Sequence, residues 1–316
     1  MISVLIAACL SLNPPALRFT ELTDVPSKFR PMHLSGRTLY DEELLEQVAK
    51  ADLSSPSSLG NGVVVSGYLD RKAIGLRVES GEVVVQPEGW LIARMTLSSI
   101  LFQQKGKWMV AATGKVDRTF ELPEDVLDSQ VLITNSGDVW AGVYSDRRGY
   151  ELLHGTERGL AAVGGVELSH EYAFIPSMEY GGGVLGMLKT VRLSNPEQGS
   201  FSSSFVTQLG PVRRYVPALA TRTGIVKLGM PTSKRLKPDE VYPSGAEIEP
   251  IWHRGSESLW LADLQGHDIE NRWYELFLLR DGKWSSILTA KSISYWSDTS
   301  EGTCVLRVDD KYLKNW

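Results

Sequence analysis

Apolar positions along the chain fall in short runs broken by glycine, and most of those runs alternate as strands do rather than recurring at a helical period. After residue 60 one unit repeats: a turn glycine or polar residue, several apolar residues, then a small residue. It reads Gly62-Val63-Val64-Val65-Ser66-Gly67, Gly89-Trp90-Leu91-Ile92-Ala93 and Gly137-Asp138-Val139-Trp140-Ala141-Gly142. Further copies are Gly183-Val184-Leu185-Gly186, Gly224-Ile225-Val226-Lys227-Leu228-Gly229 and Ser258-Leu259-Trp260-Leu261-Ala262, with a weaker one at Gly302-Thr303-Cys304-Val305. From Ala93 onward the copies follow one another at intervals centred on about forty residues, the length of a propeller blade.

Several copies continue into a hairpin. Ile100 to Trp108 turns at Lys105-Gly106, and Tyr274 to Trp284 turns at Asp281-Gly282, the pair favoured in two-residue type I′ turns. Gly149 to Gly155 reads as a third, less regular hairpin. Each unit thus supplies three or four antiparallel strands. A four-stranded sheet cannot bury both of its faces alone, so the units are expected to stack around an axis. The expected fold is all-β: a β-propeller of about six four-stranded blades over residues 60–316, or seven if the Gly67 unit forms its own sheet. The stretch Phe19 to Leu22 is expected to pair with the last blade.

Before residue 60 the pattern is mixed. Asp41 to Lys50 predicts the single helix, with Leu44, Leu45 and Val48 on one face and acids in its first turn. Ser54-Ser55-Pro56-Ser57-Ser58 reads as a linker. The first residues, Ile2 to Leu12, are almost wholly apolar, a run too short to span a bilayer but suited to an export leader over residues 1–16. The other reading is a buried N-terminal strand in a cytoplasmic protein.

Composition narrows the function. The 316 residues include 29 Gly, 9 Trp and 11 Tyr, and carry a net charge of −5, which argues against a dedicated nucleic-acid binder. Two cysteines, Cys9 and Cys304, make neither a disulfide framework nor a metal cluster. Gly181 to Gly186 satisfies the spacing of a dinucleotide loop, but strand-like alternation from Met187 follows where a helix is required. The Gly-Lys pairs at Gly106, Gly114 and Gly282 lack the following Ser or Thr of a phosphate loop, and no nucleophile elbow occurs. Asp298-Thr299-Ser300-Glu301-Gly302 misses the calcium-loop spacing. The histidines, His33, His154, His170, His253 and His267, form no local metal pair. No cofactor or metal is expected.

Pro250-Ile251-Trp252-His253-Arg254-Gly255, followed by Leu259-Trp260-Leu261-Ala262, resembles the repeat of TolB-like propellers, where a proline, a tryptophan and a turn glycine precede an apolar strand. Trp284 to Thr289 is similar to the end of that repeat's hairpin, while His253-Arg254 stands where the family carries Ser-Pro-Asp. Ile133 to Gly142 and Asn61 to Tyr68 resemble extracellular HAF-type repeats and degenerate Asp-box turns. The resemblance implies a propeller and, by itself, no activity. Ile6-Ala7-Ala8-Cys9 resembles a bacterial lipobox, which implies a lipid anchor at Cys9.

The tryptophans at 90, 108, 140, 260 and 284 are expected to fill the wedges between blades. Tyr172, Tyr180 and Trp252 instead stand beside polar turn residues, and Asp263 to Glu270 is a polar loop of the kind that carries function. The candidate ligand-binding set is therefore Tyr172, Trp252, His253, Arg254, His267 and Asp268. The expected function is a non-catalytic, exported scaffold that recognises a protein or a carbohydrate through its loops. The alternative is a propeller glycoside hydrolase or sialidase-like enzyme. That chemistry needs two carboxylates set across a sugar, for which Glu171, Glu179, Asp263 and Asp268 are candidates.

Overall fold

The computed structural model describes residues 17–22, 29–31, 39–41, 54–60, 64–69, 72–77, 82–96, 98–156, 158–164, 168, 172–190, 214–234, 247–264, 273–298 and 302–315. They are all-β. The strand β1 (Phe19–Glu21) precedes a hairpin of β2 (Phe29–Pro31) and β3 (Leu39–Asp41). Then come β4 (Ser54–Gly60), β5 (Val64–Leu69), β6 (Lys72–Arg77) and β7 (Glu82–Val85), which form the first sheet. The second holds β8 (Leu91–Met95), β9 (Ser99–Gln104), β10 (Lys107–Ala112) and β11 (Arg118–Glu121). The third holds β12 (Val126–Ile133), β13 (Val139–Ser145), β14 (Gly149–Thr156) and β15 (Gly159–Ala162). The fourth holds β16 (Tyr172–Tyr180), β17 (Gly183–Thr190), β18 (Arg214–Thr221) and β19 (Gly224–Lys227). The fifth holds β20 (Glu247–Arg254), β21 (Glu257–Leu264), β22 (Trp273–Arg280) and β23 (Lys283–Ala290). The sixth combines β24 (Ile293–Asp298), β25 (Thr303–Val308) and β26 (Lys311–Asn315) with β1 as its outer strand.

Each of the first five sheets is a meander in chain order, and consecutive sheets stack face to face. The first strands of neighbouring sheets lie against one another: β12 on β16, β16 on β20, β20 on β24. The core is divided accordingly into layers, one between each pair of sheets. Leu101 and Val110 of the second sheet meet Val131 and Val143 of the third; Leu152 of the third meets Phe174 and Val184 of the fourth. Met178 and Leu185 of the fourth meet Ile248 and Phe277 of the fifth, whose Leu259 and Leu276 meet Ile293 and Leu306 of the sixth. One fully buried indole fills each of these four layers: Trp108, Trp140, Trp260 and Trp252 in turn. Trp90 and Trp284 are only partly buried.

Where no large side chain separates the sheets, the backbones touch. A Cβ placed on Gly142 of β13 would stand 2.5 Å from the carbonyl oxygen of Phe174, on the next sheet. At Gly142 the small residue is thus a spacing requirement between sheets, whereas a Cβ on Gly186 would meet Ile175 O of the paired strand in its own sheet. Proline marks a second recurrent feature. Pro176 and Pro250 each precede a bulged residue, Ser177 in β16 and Ile251 in β20. Proline has no N–H for the ladder, so the strand is interrupted beside it.

Several expectations require correction. The Ser54 to Ser58 segment is no linker: it lies in β4, paired to β5 with irregular register on either side of Pro56, and the first sheet begins before residue 60. Its polar sequence masks a strand whose place is set by backbone pairing. Gly149 to Gly155 is one strand, β14, paired on both sides, not a hairpin. The turns at Lys105-Gly106 and Asp281-Gly282 are both real, but the first joins second and third strands of its sheet and the second joins third and fourth. Asp281 and Gly282 have φ of 50° and 73°, as a type I′ turn demands. Gly181-Gly182 is the turn between β16 and β17, with a strand after it. Asp41 ends β3, and the rest of the predicted helix lies outside the described residues.

The expected pairing at the N-terminus is present. β1 adds to β26 with Phe19 opposite Asn315 and Glu21 opposite Leu313, and Lys311 Nζ lies 3.0 Å from Glu21 Oε2. Leu17 and Phe19 pack on the layer between the fifth and sixth sheets.

Two outcomes are expected in denaturation measurements. Trp252→Ala should cost about 3–5 kcal/mol, as truncation of a fully buried aromatic does, with Trp140→Ala behaving alike. Gly142→Ala should cost about 1–3 kcal/mol by overpacking, although it adds only a methyl group.

Candidate functional site

In an antiparallel meander the turns after the first and third strands emerge at one end, and here those ends gather on one face. The turn after β12 is the hub. Ser98 and Ser99 donate from their hydroxyls to Asn135 O, Lys115 Nζ donates to Ser136 O at 2.6 Å, and the Arg118 guanidinium donates to Gly137 O. These groups come from the second sheet. From the fourth, Arg222 pairs with Asp138 at 3.3 Å, and Glu179 Oε2 accepts the Asn135 N–H at 2.8 Å. Further on, Tyr180 meets His253 of the fifth sheet edge-on, with ring centroids 5.3 Å apart. A Cβ on Gly302 of the sixth would touch the Arg254 side chain at 3.4 Å. One polar belt thus runs across five sheets on the turn face.

The buried charges serve this belt and the sheets beneath it. Glu257, 2% exposed, is paired to Arg280 and lies 3.9 Å from Arg254. Glu275, fully buried, accepts from the Ser233 and Ser286 hydroxyls at 2.5 Å and from Lys234 N–H at 3.1 Å. It thereby holds the connection after β19 onto the fifth sheet. A carboxylate removed from water needs such partners, since leaving it alone costs several kcal/mol. Burial pushes the Glu179 carboxyl above its ordinary range, against the Asn135 N–H and with help from Asp138.

His154 is the meeting point of three sheets. It lies on β14 directly opposite Trp140, with ring centroids 4.3 Å apart, and is 5% exposed. Its Nε2 has no hydrogen-bond partner. Burial lowers its pKa; Asp138 pulls it back up, while Arg222 and Arg118 push it further down. Burial and the two guanidiniums thus favour the neutral imidazole, against the pull of Asp138.

The predicted residues divide. His253 and Arg254 lie on the turn face at the end of β20, half-buried, with the Arg254 guanidinium 5.5 Å above the Trp252 ring. Trp252 itself is fully buried on the strand, in the layer shared with the sixth sheet, and takes the wedge-filling role expected of the other tryptophans. Tyr172 begins β16 and stands at the end opposite Tyr180, away from His253. His267 and Asp268 lie outside the described residues. Sequence reading missed Tyr180's partnership, Asn135, Asp138, His154 and Arg222. A signal for part of it exists: Pro176-Ser177-Met178-Glu179-Tyr180-Gly181 aligns without gaps on Pro250-Ile251-Trp252-His253-Arg254-Gly255, placing Glu179 where His253 stands. Both sit opposite the second residue of the following strand.

Among the described residues no group of three or more His, Cys, Asp or Glu is arranged to hold a metal ion. No helix among them is long and apolar enough to cross a membrane. Cys304 is fully buried, and burial pushes its thiol far above the range in which it would react.

The histidines set a pH dependence. A folded-state pKa below that of the unfolded chain gives stability that is present above about 6.5 and lost as the pH falls through that value. His154 is in this position, and His253, lowered by burial, adds to the slope. The melting temperature should fall between about pH 7.5 and pH 5, and His154→Gln should flatten that fall. A slope unchanged in both His154→Gln and His253→Gln would place the titration elsewhere.

No family model matches the chain, and no curated protein matches it, so the TolB-like, HAF-type and Asp-box resemblances find no support there. Among solved structures, the crystal structure of the N-terminal domain of Nup159 aligns at a TM-score of 0.37 and 9% identity, over 89% of this chain and 84% of that one. A chain from the S. cerevisiae complex of a Dbp5 variant with Nup159, a Gle1 variant, IP6 and ADP aligns at 0.38 and 8%, over 88% and 84%. PorZ, described as an essential surface component of the type-IX secretion system of Porphyromonas gingivalis, aligns at 0.23 and 12%, over 80% of this chain and 38% of that one.

Proposed function

We propose that the stacked sheets close into a six-bladed β-propeller, and that the protein is a non-catalytic scaffold gripping a protein partner on its turn face. Three features support the ring: first strands lying against one another, an indole filling each of four successive layers, and an outer strand of the last sheet supplied by the start of the chain. A shared sheet of this kind leaves no loose end at the junction. The β2–β3 hairpin lies against β24 through β3.

The binding reading is carried by the Tyr180–His253 pair. Its rings are half-buried and mutually packed on two rigid first strands, and neither side chain has a hydrogen-bond partner among the described residues. The neighbouring buried Glu257 and Glu275 are already occupied within the fifth sheet and its preceding connection. Aromatic rings with unused polar atoms, held by a stiff frame, suit recognition of a protein surface. A hydrolase remains the second reading because of one observation: Glu179 has the raised carboxyl that a general acid requires.

The test is affinity capture from the native host with the wild type and the Tyr180→Ala/His253→Ala variant, alongside thermal melts. The expected result is a partner recovered by the wild type and reduced about tenfold or more in a variant that still folds. Equal recovery would remove the reading. Release of sugar from chromogenic glycosides, abolished by Glu179→Gln, would install the hydrolase in its place. Export and a lipid anchor at Cys9 belong to the same proposal; intact-mass measurement of native protein should show a lipid mass on Cys9 as the first residue, and an intact Met1 would rule it out.

A further inference from the structure

We propose that Arg94 anchors a small-ligand site between the second and third sheets, and that the ligand is a carboxylate carrying an apolar group. The site is independent of the Tyr180–His253 surface. Three first strands repeat one local device. β8, β16 and β20 each bulge at one residue, Ala93, Ser177 and Ile251, and the residue after the bulge stands opposite a leucine of the second strand. The pairs are Arg94 with Leu101, Met178 with Leu185 and Trp252 with Leu259. Directly opposed residues of an antiparallel pair share a face, so each of the three is aimed into the layer that its leucine helps to fill. Met178 and Trp252 are buried there, as apolar side chains should be. At the same position the second sheet carries a guanidinium.

Arg94 reaches across the layer. Its Nε donates to Val131 O on β12 at 3.2 Å, and its Nη1 donates to Ala93 O at 3.1 Å. Both acceptors are neutral carbonyls, which fix the plane of the group and leave its charge uncancelled. Among the described residues no carboxylate pairs with it, and Nη2 has no partner. The surrounding protein displaces enough water to lower its pKa, yet the side chain remains open to solvent. A partly desolvated cation without a counter-charge is costly, and an anion relieves it. The N–H groups left over suit the two oxygens of a carboxylate. The same face supplies an apolar contact. Leu91 stands opposite Gln103, two positions from Leu101, so it shares the face of Arg94 at about 7 Å along the strand. It is 63% exposed, and only the methyl group of Ala93 intervenes. An open leucine beside an uncompensated guanidinium fits an anion with an aliphatic body. Free aliphatic acids have this chemistry, and so does a chain terminus that ends in an apolar residue.

The probes are sodium octanoate and the peptide acetyl-Gly-Gly-Leu, titrated into the full chain by calorimetry, with 1-octanol, phosphate and the amidated peptide as controls. Arg94→Met is the informative variant, because Met178 occupies the equivalent position in the fourth sheet. At least one probe should bind the wild type, and its affinity should fall about tenfold or more in Arg94→Met. Which probe binds identifies the source of the carboxylate. Arg94→Lys keeps the charge without the planar fork and should fall between the two. Leu91→Ser should weaken octanoate as well. Should Arg94→Met melt early, Leu91→Ser decides the matter, since an exposed leucine is replaced at little cost to the fold. The site is overturned if neither probe binds, if octanol, phosphate or the amide binds as tightly as the probes, or if octanoate affinity is unchanged in Leu91→Ser or in a folded Arg94→Met. Tyr180→Ala/His253→Ala should bind the probes as the wild type does, so loss of partner capture in that variant speaks to the protein-binding reading and not to this site.

Discussion

Everything in this molecule depends on filling the wedge between neighbouring sheets. Twisted sheets stacked face to face do not fit flush, and a void between them would forfeit the dispersion contacts that hold the stack. The chain answers with a fully buried indole in each of the four layers from the second sheet to the sixth, Trp108, Trp140, Trp260 and Trp252, and with glycine where the backbones must instead touch, as at Gly142 and Phe174. With the sheets packed on these contacts, the turns at one end exchange hydrogen bonds. The polar belt is therefore a product of the hydrophobic layers beneath it.

Charge has two roles here, and depth separates them. Buried carboxylates such as Glu257, ion-paired with Arg280, and Glu275, which accepts from Ser233, Ser286 and Lys234, have partners on separate strands or connections. They act as local fasteners, and losing one partner would strand the other in a medium that cannot hydrate it. Shallower groups, Arg222 above all with 63% of its side chain exposed, make ties that contribute little to stability and are easily exchanged. Between these extremes stands His154, sealed off yet electrostatically coupled to Asp138, Arg118 and Arg222.

Much of the fold was readable in the sequence, because short-range chemistry determines it. Asp281-Gly282 announced its turn, and the apolar beginning of the chain at Phe19 announced a strand seeking a partner. What failed were places where side-chain pattern and backbone role diverge. Ser54 to Gly60 is a strand made of turn residues, retained because β5 pairs with it. Trp252 stands two residues before a turn and beside two polar neighbours, so proximity in sequence suggested a surface. Strand alternation turned its ring to the opposite side from His253. The candidate site was less legible still, since Tyr180 and His253 meet across sheets and nothing local records the encounter. Only the internal repeat holds a trace of it, in the gapless alignment of the two proline-led segments.

The sharing of one sheet between the two ends of the chain has a consequence for synthesis. β1 emerges from the ribosome first, but its pairing partner β26 is nearly the last segment made. At ordinary elongation rates the wait is on the order of 15–60 s, far longer than a strand needs to find a neighbour. Through that interval the other sheets can stack while the final one lacks an edge, and β1 must be kept from pairing with the wrong strand. Its three-residue length and its Glu21 are suited to that restraint, offering too little ladder to nucleate with strangers. The last sheet therefore completes only once β26 has been made, and the nascent protein passes through a stage in which β1 waits for its pairing partner.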